Sequence, residues 1–293
     1  MMKVYVNGKI VDHDKALISV FDRGFLYGDA LFETMHGYAG RIFCLNDHLM
    51  RLYSSMKSLK IRQPLADKEA EKIIYELLAV NGLDKTDAYV RMTVSRGLSE
   101  DGSMDISKSG PSNVVIIARG YVPFSSKHYE KGIAVNIARA RRNSQSVLSN
   151  FKVANYLDSI LARNEAFPGG FFDTIFLNES GHVCEASTSN IFMITGNALV
   201  TPSIKCGILP GITRKIVLEL SPYAGVGVEE SEFSENELKS SDEVFITNSM
   251  FEIIPVVGID NKAIGGGSVG KITKNMQKLY KEAVEKEAGI ELS

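Results

Sequence analysis

Leu148-Ser-Asn-Phe-Lys-Val-Ala-Asn-Tyr-Leu157 is the stretch on which the reading of this chain turns. It is a polar and apolar mixture at a loop-to-helix junction, and it predicts a helix over about 152–166. Lys152 stands at the start of that helix. A lysine can act covalently where its amine is held neutral and in place. The competing reading is an ordinary lysine in a first helical turn. Most other lysines, such as Lys239, Lys281 and Lys286, lie in plainly solvated runs.

Downstream of this junction, strand-like runs occur at 173–177, 189–194, 198–201 and 243–247. A helix over 212–220 follows Pro210-Gly211, and a last helix spans about 270–288, with Glu282 and Lys286 four apart on its surface. Upstream, a strand at 133–138 precedes it. The chain opens with a hairpin, 4–6 and 9–11, around Asn7-Gly8, a strong short turn signal. A glycine-punctuated segment covers 21–33. Asn46 or Asp47 then caps a helix to about 59 with Leu49, Leu52, Tyr53, Met56 and Leu59 on one face. A second helix from about 67 turns Ile73, Ile74, Leu77 and Leu78 inward and stops at Asn81-Gly82. Strands at 88–95 and 113–119 flank an acidic loop, Leu98-Ser-Glu-Asp-Gly-Ser-Met-Asp105, whose charge should disfavour acidic side chains nearby. Strands and helices mix without strict βαβ alternation, so the expected class is α+β in two domains. These are a small N-terminal domain at 1–120, a linker at 121–126 and a large C-terminal domain at 127–293.

Composition narrows the partners. The 293 residues are 44% hydrophobic and carry a net charge of −2, without the basic excess of a nucleic-acid binder. No apolar run approaches the length of a membrane span, and the first residues lack the pattern of a secretory leader. Cys44, Cys184 and Cys206 lie far apart with no metal-ligand spacing, so no metal is expected and a reduced, cytoplasmic protein is.

Several further residues are candidates for chemistry. Arg51, inside the helix at 47–59, either snorkels to solvent or clamps a phosphate with its planar fork. Leu209-Pro-Gly-Ile-Thr-Arg214 opens a helix, where the N–H groups of Ile212 and Thr213 and the Thr213 hydroxyl would face an anion. Ser249 offers a hydroxyl just past a strand end. Glu185 lies in a run of small residues that leaves room for a ligand, or else is a solvated carboxylate. Tyr89 and Arg91 share one strand face and, with Tyr27 and Phe32, could wall a substrate pocket; an exposed sheet face is the alternative.

In order along the chain, these blocks resemble the class IV aminotransferases, the fold type IV family of pyridoxal 5'-phosphate (PLP) enzymes. The resemblance runs through Phe21-Asp-Arg-Gly-Phe-Leu-Tyr-Gly-Asp-Ala-Leu-Phe-Glu-Thr34, His48-Leu-Met-Arg-Leu52 and Phe151-Lys-Val-Ala-Asn-Tyr-Leu157. It continues through Glu185-Ala-Ser-Thr-Ser-Asn-Ile-Phe192, Leu209-Pro-Gly-Ile-Thr-Arg214 and Thr247-Asn-Ser-Met-Phe-Glu-Ile-Ile-Pro255. It implies a two-domain fold like that of D-amino acid aminotransferase, with the cofactor between the domains, and a homodimer. It implies that Lys152 carries PLP as a Schiff base and shuttles the substrate proton. Glu185 would pair with the pyridine nitrogen, keeping the ring an electron sink. Tyr156 would donate to the ring's phenolate oxygen and Leu209 would pack on the ring. Arg51, Ile212, Thr213 and Ser249 would hold the phosphate, and Tyr27, Phe32, Tyr89, Arg91 and Met250 the substrate.

Three reactions occur in that family. Ala88-Tyr-Val-Arg91 resembles the branched-chain aminotransferases, which act in amino-acid biosynthesis, although His36 stands where they carry an arginine. The Arg-x-His pair of the D-amino acid enzymes is absent after Ser95-Arg-Gly97. The wording of Phe32-Glu-Thr34 and Thr247-Asn-Ser249 resembles the aminodeoxychorismate lyases, which form 4-aminobenzoate and pyruvate. The expectation is an aminotransferase of branched-chain or similar apolar L-amino acids with 2-oxoglutarate as acceptor. The lyase is the alternative, and packing or local hydrogen bonding is the expected role of His36.

Overall fold

Asn7 and Gly8 both take positive φ, 47° and 93°, the conformation a two-residue hairpin requires. They join β1 (Lys3–Val6) to β2 (Lys9–Asp12) with Val6 paired to Lys9. The computed structural model describes residues 1–99 and 101–291. The chain forms two compact units. The first comprises Met1–Val122, Phe151–Asn155 and Glu287–Glu291; the second comprises Pro123–Asn150 and Tyr156–Lys286.

In the first unit, α1 (Arg23–Tyr27) leads into β3 (Ala30–Tyr38), β4 (Arg41–Ile42), α2 (Leu45–Ser58), α3 (Asp67–Val80), β5 (Ala88–Ser95) and β6 (Asn113–Gly120). The six strands form one antiparallel sheet in the order β2-β1-β6-β5-β3-β4. Its two faces differ. In β5, Ala88, Val90, Met92 and Val94 are buried, while Tyr89, Arg91 and Thr93 on the other face are half-buried. Leu49, Leu52 and Met56 of α2 and Ala70, Ile74, Leu77 and Leu78 of α3 join the buried row in one core. The sequence pattern does not reveal β3, since 21–33 reads as a glycine-punctuated segment. Eight of the nine β3 residues are buried, so the strand shows no alternation of apolar and polar residues.

The second unit begins with α4 (Ser126–Lys131), β7 (Ile133–Arg142) and α5 (Leu157–Ala166). It continues with β8 (Asp173–Asn178), β9 (Val183–Ala186), β10 (Asn190–Thr195), β11 (Ala198–Pro202) and α6 (Ile212–Leu220). It ends with β12 (Gly227–Ser231), α7 (Glu235–Ser240), β13 (Glu243–Asn248), β14 (Glu252–Ile259), β15 (Lys262–Ala263) and α8 (Lys271–Ala288). The sheet runs β12-β11-β10-β13-β14-β7-β8-β9, with β15 beside β14. It is mixed: β7–β8, β7–β14 and β11–β12 are parallel and the other pairs antiparallel.

Two local expectations need correction. The helix predicted from residue 152 starts at Leu157. Lys152 instead lies in extended backbone against β3: Phe32 N–H donates to Lys152 O (3.0 Å), and Ala154 N–H donates to Ala30 O (2.9 Å). These bonds to a distant strand replace the first helical turn, which no local pattern reveals. Asn46 and Asp47 are not caps but lie in the first turn of α2, behind Cys44, whose N–H donates to Glu287 Oε1 at 2.6 Å. The acidic side chain of Asp47 still suits the positive end of the helix. Of the acidic loop, Glu100 lies outside the described residues; Asp101 instead accepts from Ser103 N–H and Lys108 Nζ.

Candidate active site

In the first unit the candidate residues gather on and around β3. Side chains alternate along it, and antiparallel pairing puts Phe32, Thr34 and His36 on the same face as their partners Thr93, Arg91 and Tyr89. The Arg91 guanidinium lies 3.7 Å from the centre of the Phe32 ring, and its Nε donates to Thr93 Oγ1 (3.2 Å). The Lys152 ammonium lies 4.6 Å from the same ring centre. Two cations thus share one aromatic ring, an arrangement favoured by the ring quadrupole. Arg119 caps the neighbouring Tyr89 ring at 4.5 Å. Tyr27 is not on the sheet: it ends α1, and its hydroxyl donates to Gly102 O at 2.8 Å. His36 is buried between the rings of Tyr38 and Tyr121, 3.9 and 4.1 Å away, in keeping with a packing role.

Glu33 points to the opposite, helix-covered face and is 1% exposed. Arg51 donates to it from both Nε and Nη2, each at 2.7 Å, a bidentate fork. His48, one turn earlier on α2, meets Glu33 Oε2 through Nδ1 at 2.7 Å. Burial alone would raise the Glu33 carboxyl, but Arg51 and His48 outweigh it and lower the pKa to about 2. Burial also depresses His48, and the nearby charges of Arg51 and Lys152 add to the effect. A neutral His48 donating its Nδ1–H to an ionised Glu33 satisfies both groups. Sequence reasoning singles out Arg51 but misses Glu33 and His48 as its partners. The signal is present as His48 and Arg51 three apart on one helical face.

In the second unit, Glu185 on β9 is buried, and Leu209, Asn190 and Arg142 hold it. Its Oε2 accepts from Leu209 N–H (3.1 Å) and Asn190 Nδ2 (3.3 Å), and Arg142 Nη2 lies 3.7 Å from Oε1. Arg142 also donates to Ser159 Oγ (3.1 Å) and covers the Phe176 ring at 4.5 Å. Asn190 donates to Leu209 O as well (2.8 Å), so one side chain links Glu185 to the start of the 209–214 segment. Asn190 and Arg142 are not among the residues expected from the sequence. Tyr156 immediately precedes α5 and is half-buried.

The residues expected to hold a phosphate fit an anion. Gly211 is the N-cap of α6 and supplies no side-chain cap, so the N–H groups of Ile212 and Thr213 have no acceptor within the helix. A Cβ on Gly211 would lie 2.0 Å from Asn190 Oδ1, so only glycine permits this close approach. Ser189 Oγ and Thr247 Oγ1 are buried and find no hydrogen-bond partner among the described residues. Ser249 and Met250 sit in the turn after β13, which Asn248 closes by accepting from Met250 and Phe251 N–H, each at 2.9 Å. Buried hydroxyls beside an uncapped helix start suit a multiply charged, oxygen-rich group such as the phosphate of PLP. Among the described residues no cluster of His, Cys, Asp or Glu could hold a metal.

The amino-transferase class IV family profile matches residues 30–259. The chain is 39% identical over 282 residues to a putative branched-chain-amino-acid aminotransferase of Methanocaldococcus jannaschii, covering 96% of each. It is 33% identical to the aminodeoxychorismate lyase of Bacillus subtilis, covering 96% of this chain and 94% of that protein. A branched-chain amino acid aminotransferase of T.th., complexed with N-(5'-phosphopyridoxyl)-L-glutamate, superposes with a TM-score of 0.89 at 28% identity, covering 98% of this chain and 94% of that one. The fold and these matches define a PLP-dependent transaminase of fold type IV. The chain belongs to the class IV aminotransferases.

Proposed function

We propose that this enzyme transfers the amino group of a branched-chain or similarly apolar L-amino acid to 2-oxoglutarate, with the cofactor attached covalently to Lys152. The observation that carries this reading is the Phe32 ring shared by Lys152 and Arg91. An aromatic wall suits an apolar side chain, Arg91 suits a carboxylate, and the Lys152 amine stands beside them as the proton carrier. The M. jannaschii relative supports the choice of substrate, and the glutamate adduct in the T.th. protein supports the choice of acceptor. When bound, PLP supplies a ring that accepts the electron pair left when the substrate α-carbon loses its proton.

The remaining roles follow from charge and donor type. Glu185, held by Leu209 N–H, Asn190 and Arg142, would pair with the pyridine nitrogen and keep it protonated. Tyr156 would donate to the phenolate oxygen, and Leu209 would pack on the ring. Arg51, the N–H groups of Ile212 and Thr213, and the hydroxyls of Thr213 and Ser249 are the groups that would bind the phosphate. Glu33 fixes the direction of the Arg51 fork. Tyr27, Tyr89 and Met250 complete the substrate wall. The enzyme works as a homodimer: Leu157, Ile160 and Leu161 form an exposed stripe at i, i+3 and i+4 on α5, which a second copy would cover. Three buried cysteine thiols agree with a cytoplasmic setting.

The test is the visible absorbance of the purified enzyme during addition of single amino acids. A cofactor band that bleaches with L-leucine, L-isoleucine or L-valine, and returns with 2-oxoglutarate, is expected. Lys152→Ala should abolish turnover, and a variant that keeps the wild-type rate would remove that lysine from the mechanism. The 33% identity to the B. subtilis lyase keeps a second reading open. A band that no amino acid bleaches, with release of 4-aminobenzoate and pyruvate from aminodeoxychorismate, would establish that reading over the first.

A further inference from the structure

Asp173, the first residue of β8, is 0% exposed, and its carboxyl has no place in the chemistry above. Its Oδ1 accepts two hydrogen bonds, from Ser187 Oγ at 2.5 Å and Thr174 N–H at 2.8 Å. Its Oδ2 is buried and has no hydrogen-bond partner among the described residues. Burial pushes this carboxyl up, while Ser187, Thr174 and the charge of Arg163 pull it back. A buried acid with one oxygen unsatisfied is costly to keep for packing alone.

What it holds explains that cost. Ser187 is two residues beyond Glu185, in the turn from β9 to β10. The turn closes on itself through Ala186 N–H to Ser189 O at 2.8 Å. On one side Thr188 O accepts from Asn248 Nδ2 (3.2 Å), next to Ser249. On the other, Asn190 reaches Glu185 and Leu209. The turn therefore contacts Asn248 directly, and Asn190, the first residue of β10 after it, contacts the Glu185 carboxylate and the 209–214 segment. Its tip is tied down through the Ser187 hydroxyl, which donates to Asp173.

We propose that Asp173 is a positioning residue: by gripping Ser187 it sets the turn that aligns Glu185 and the Asn248–Ser249 corner for the cofactor. This rests on the reading of Glu185 as the partner of the pyridine nitrogen. Asp173 acts through Ser187 and does not itself touch the reacting atoms.

The experiment uses the full-length protein stripped of PLP and titrated with it, following the visible band, alongside thermal unfolding of the stripped protein. S187A removes the Ser187 hydroxyl bond and should weaken PLP binding about tenfold, and D173A, which removes that bond and also releases Thr174 N–H, should weaken it at least as much. The double variant should be no weaker than D173A alone, because S187A removes only a contact that D173A has already removed. D173N keeps an oxygen for Ser187 and Thr174 N–H and should restore affinity to within about twofold. A purely stabilising role would instead lower the unfolding temperature while leaving the affinity of the folded fraction as in the wild type, and that result overturns the proposal. Additive losses in the double variant overturn it as well. If D173A does not fold, S187A carries the same prediction and the same refutation. E185Q separates the two layers. A changed cofactor spectrum in E185Q with wild-type PLP affinity in S187A overturns only the role of Asp173. An unchanged spectrum in E185Q overturns the reading of Glu185 and the proposal with it.

Discussion

Replacing Glu33 with Gln should unfold this enzyme more readily, and the effect should depend on pH in a defined way. Glu33 is buried and accepts three bonds, two from Arg51 and one from His48, each at 2.7 Å. Gln keeps the shape but removes the charge, and it turns an NH₂ toward groups that are themselves donors. Removing one partner of a buried ion pair leaves the other uncompensated and costs about 3–5 kcal/mol. The carboxyl gives an independent figure. Its pKa falls from 4.5 to about 2, which at about 1.4 kcal/mol per pKa unit is about 3 kcal/mol of stability at neutral pH. A depressed carboxyl contributes fully above 4.5 and loses its contribution as pH falls toward 2. His48, which burial depresses although Glu33 pulls it back up, makes wild type less stable as pH falls below 6.5. Urea unfolding of both proteins at pH 7 and pH 3 checks the reasoning. The gap between wild type and E33Q should be about 3 kcal/mol or more at pH 7 and narrower by about 2 kcal/mol at pH 3. A gap below about 1 kcal/mol at pH 7, or one that does not change with pH, would refute the claim that Glu33 is an ionised partner of Arg51.

Gly211→Ala should weaken PLP binding about tenfold, because the new Cβ would sit 2.0 Å from Asn190 Oδ1 and one of the two must move. Titration of the stripped protein checks this, and wild-type affinity would count against the α6 start as the phosphate cradle. Ser234→Ala breaks the capping box of α7, in which Ser234 and Glu237 each bond the other's backbone N–H, and should cost about 1 kcal/mol in thermal unfolding without altering the cofactor band. Ile160→Asp places a charge in the exposed stripe of α5 and should shift the protein toward monomer in sedimentation; an unchanged mass would move the dimer contact elsewhere.

Much of the fold is legible in the order of the residues. Asn7-Gly8, the Asn81-Gly82 stop of α3 and the alternation of β5 are local signals, and each element forms where they place it. Two of the strands that escape lack local alternation. β3 is buried along nearly its whole length, and β14 has a run of buried residues from Ile253 to Val256, so neither alternates. The segment holding Lys152 has helical neighbours but spends its hydrogen bonds on β3.

The candidate site divides in the same manner. Taken singly, Lys152, Arg51, Glu185 and the 209–214 segment each have an ordinary structural explanation, and it is their order along the chain, matching the family's blocks, that marks them as a set. It determined the family and the cofactor. Only the tertiary structure decided what each of these groups leans on: Glu33 and His48 behind Arg51, Asn190 and Arg142 around Glu185, and Asp173 beneath the turn at Ser187. The physical reason is that a buried polar group must be paired, and its partner comes from whichever strand or helix packs against it, here 18 residues away for Glu33 and Arg51 and 14 for Asp173 and Ser187.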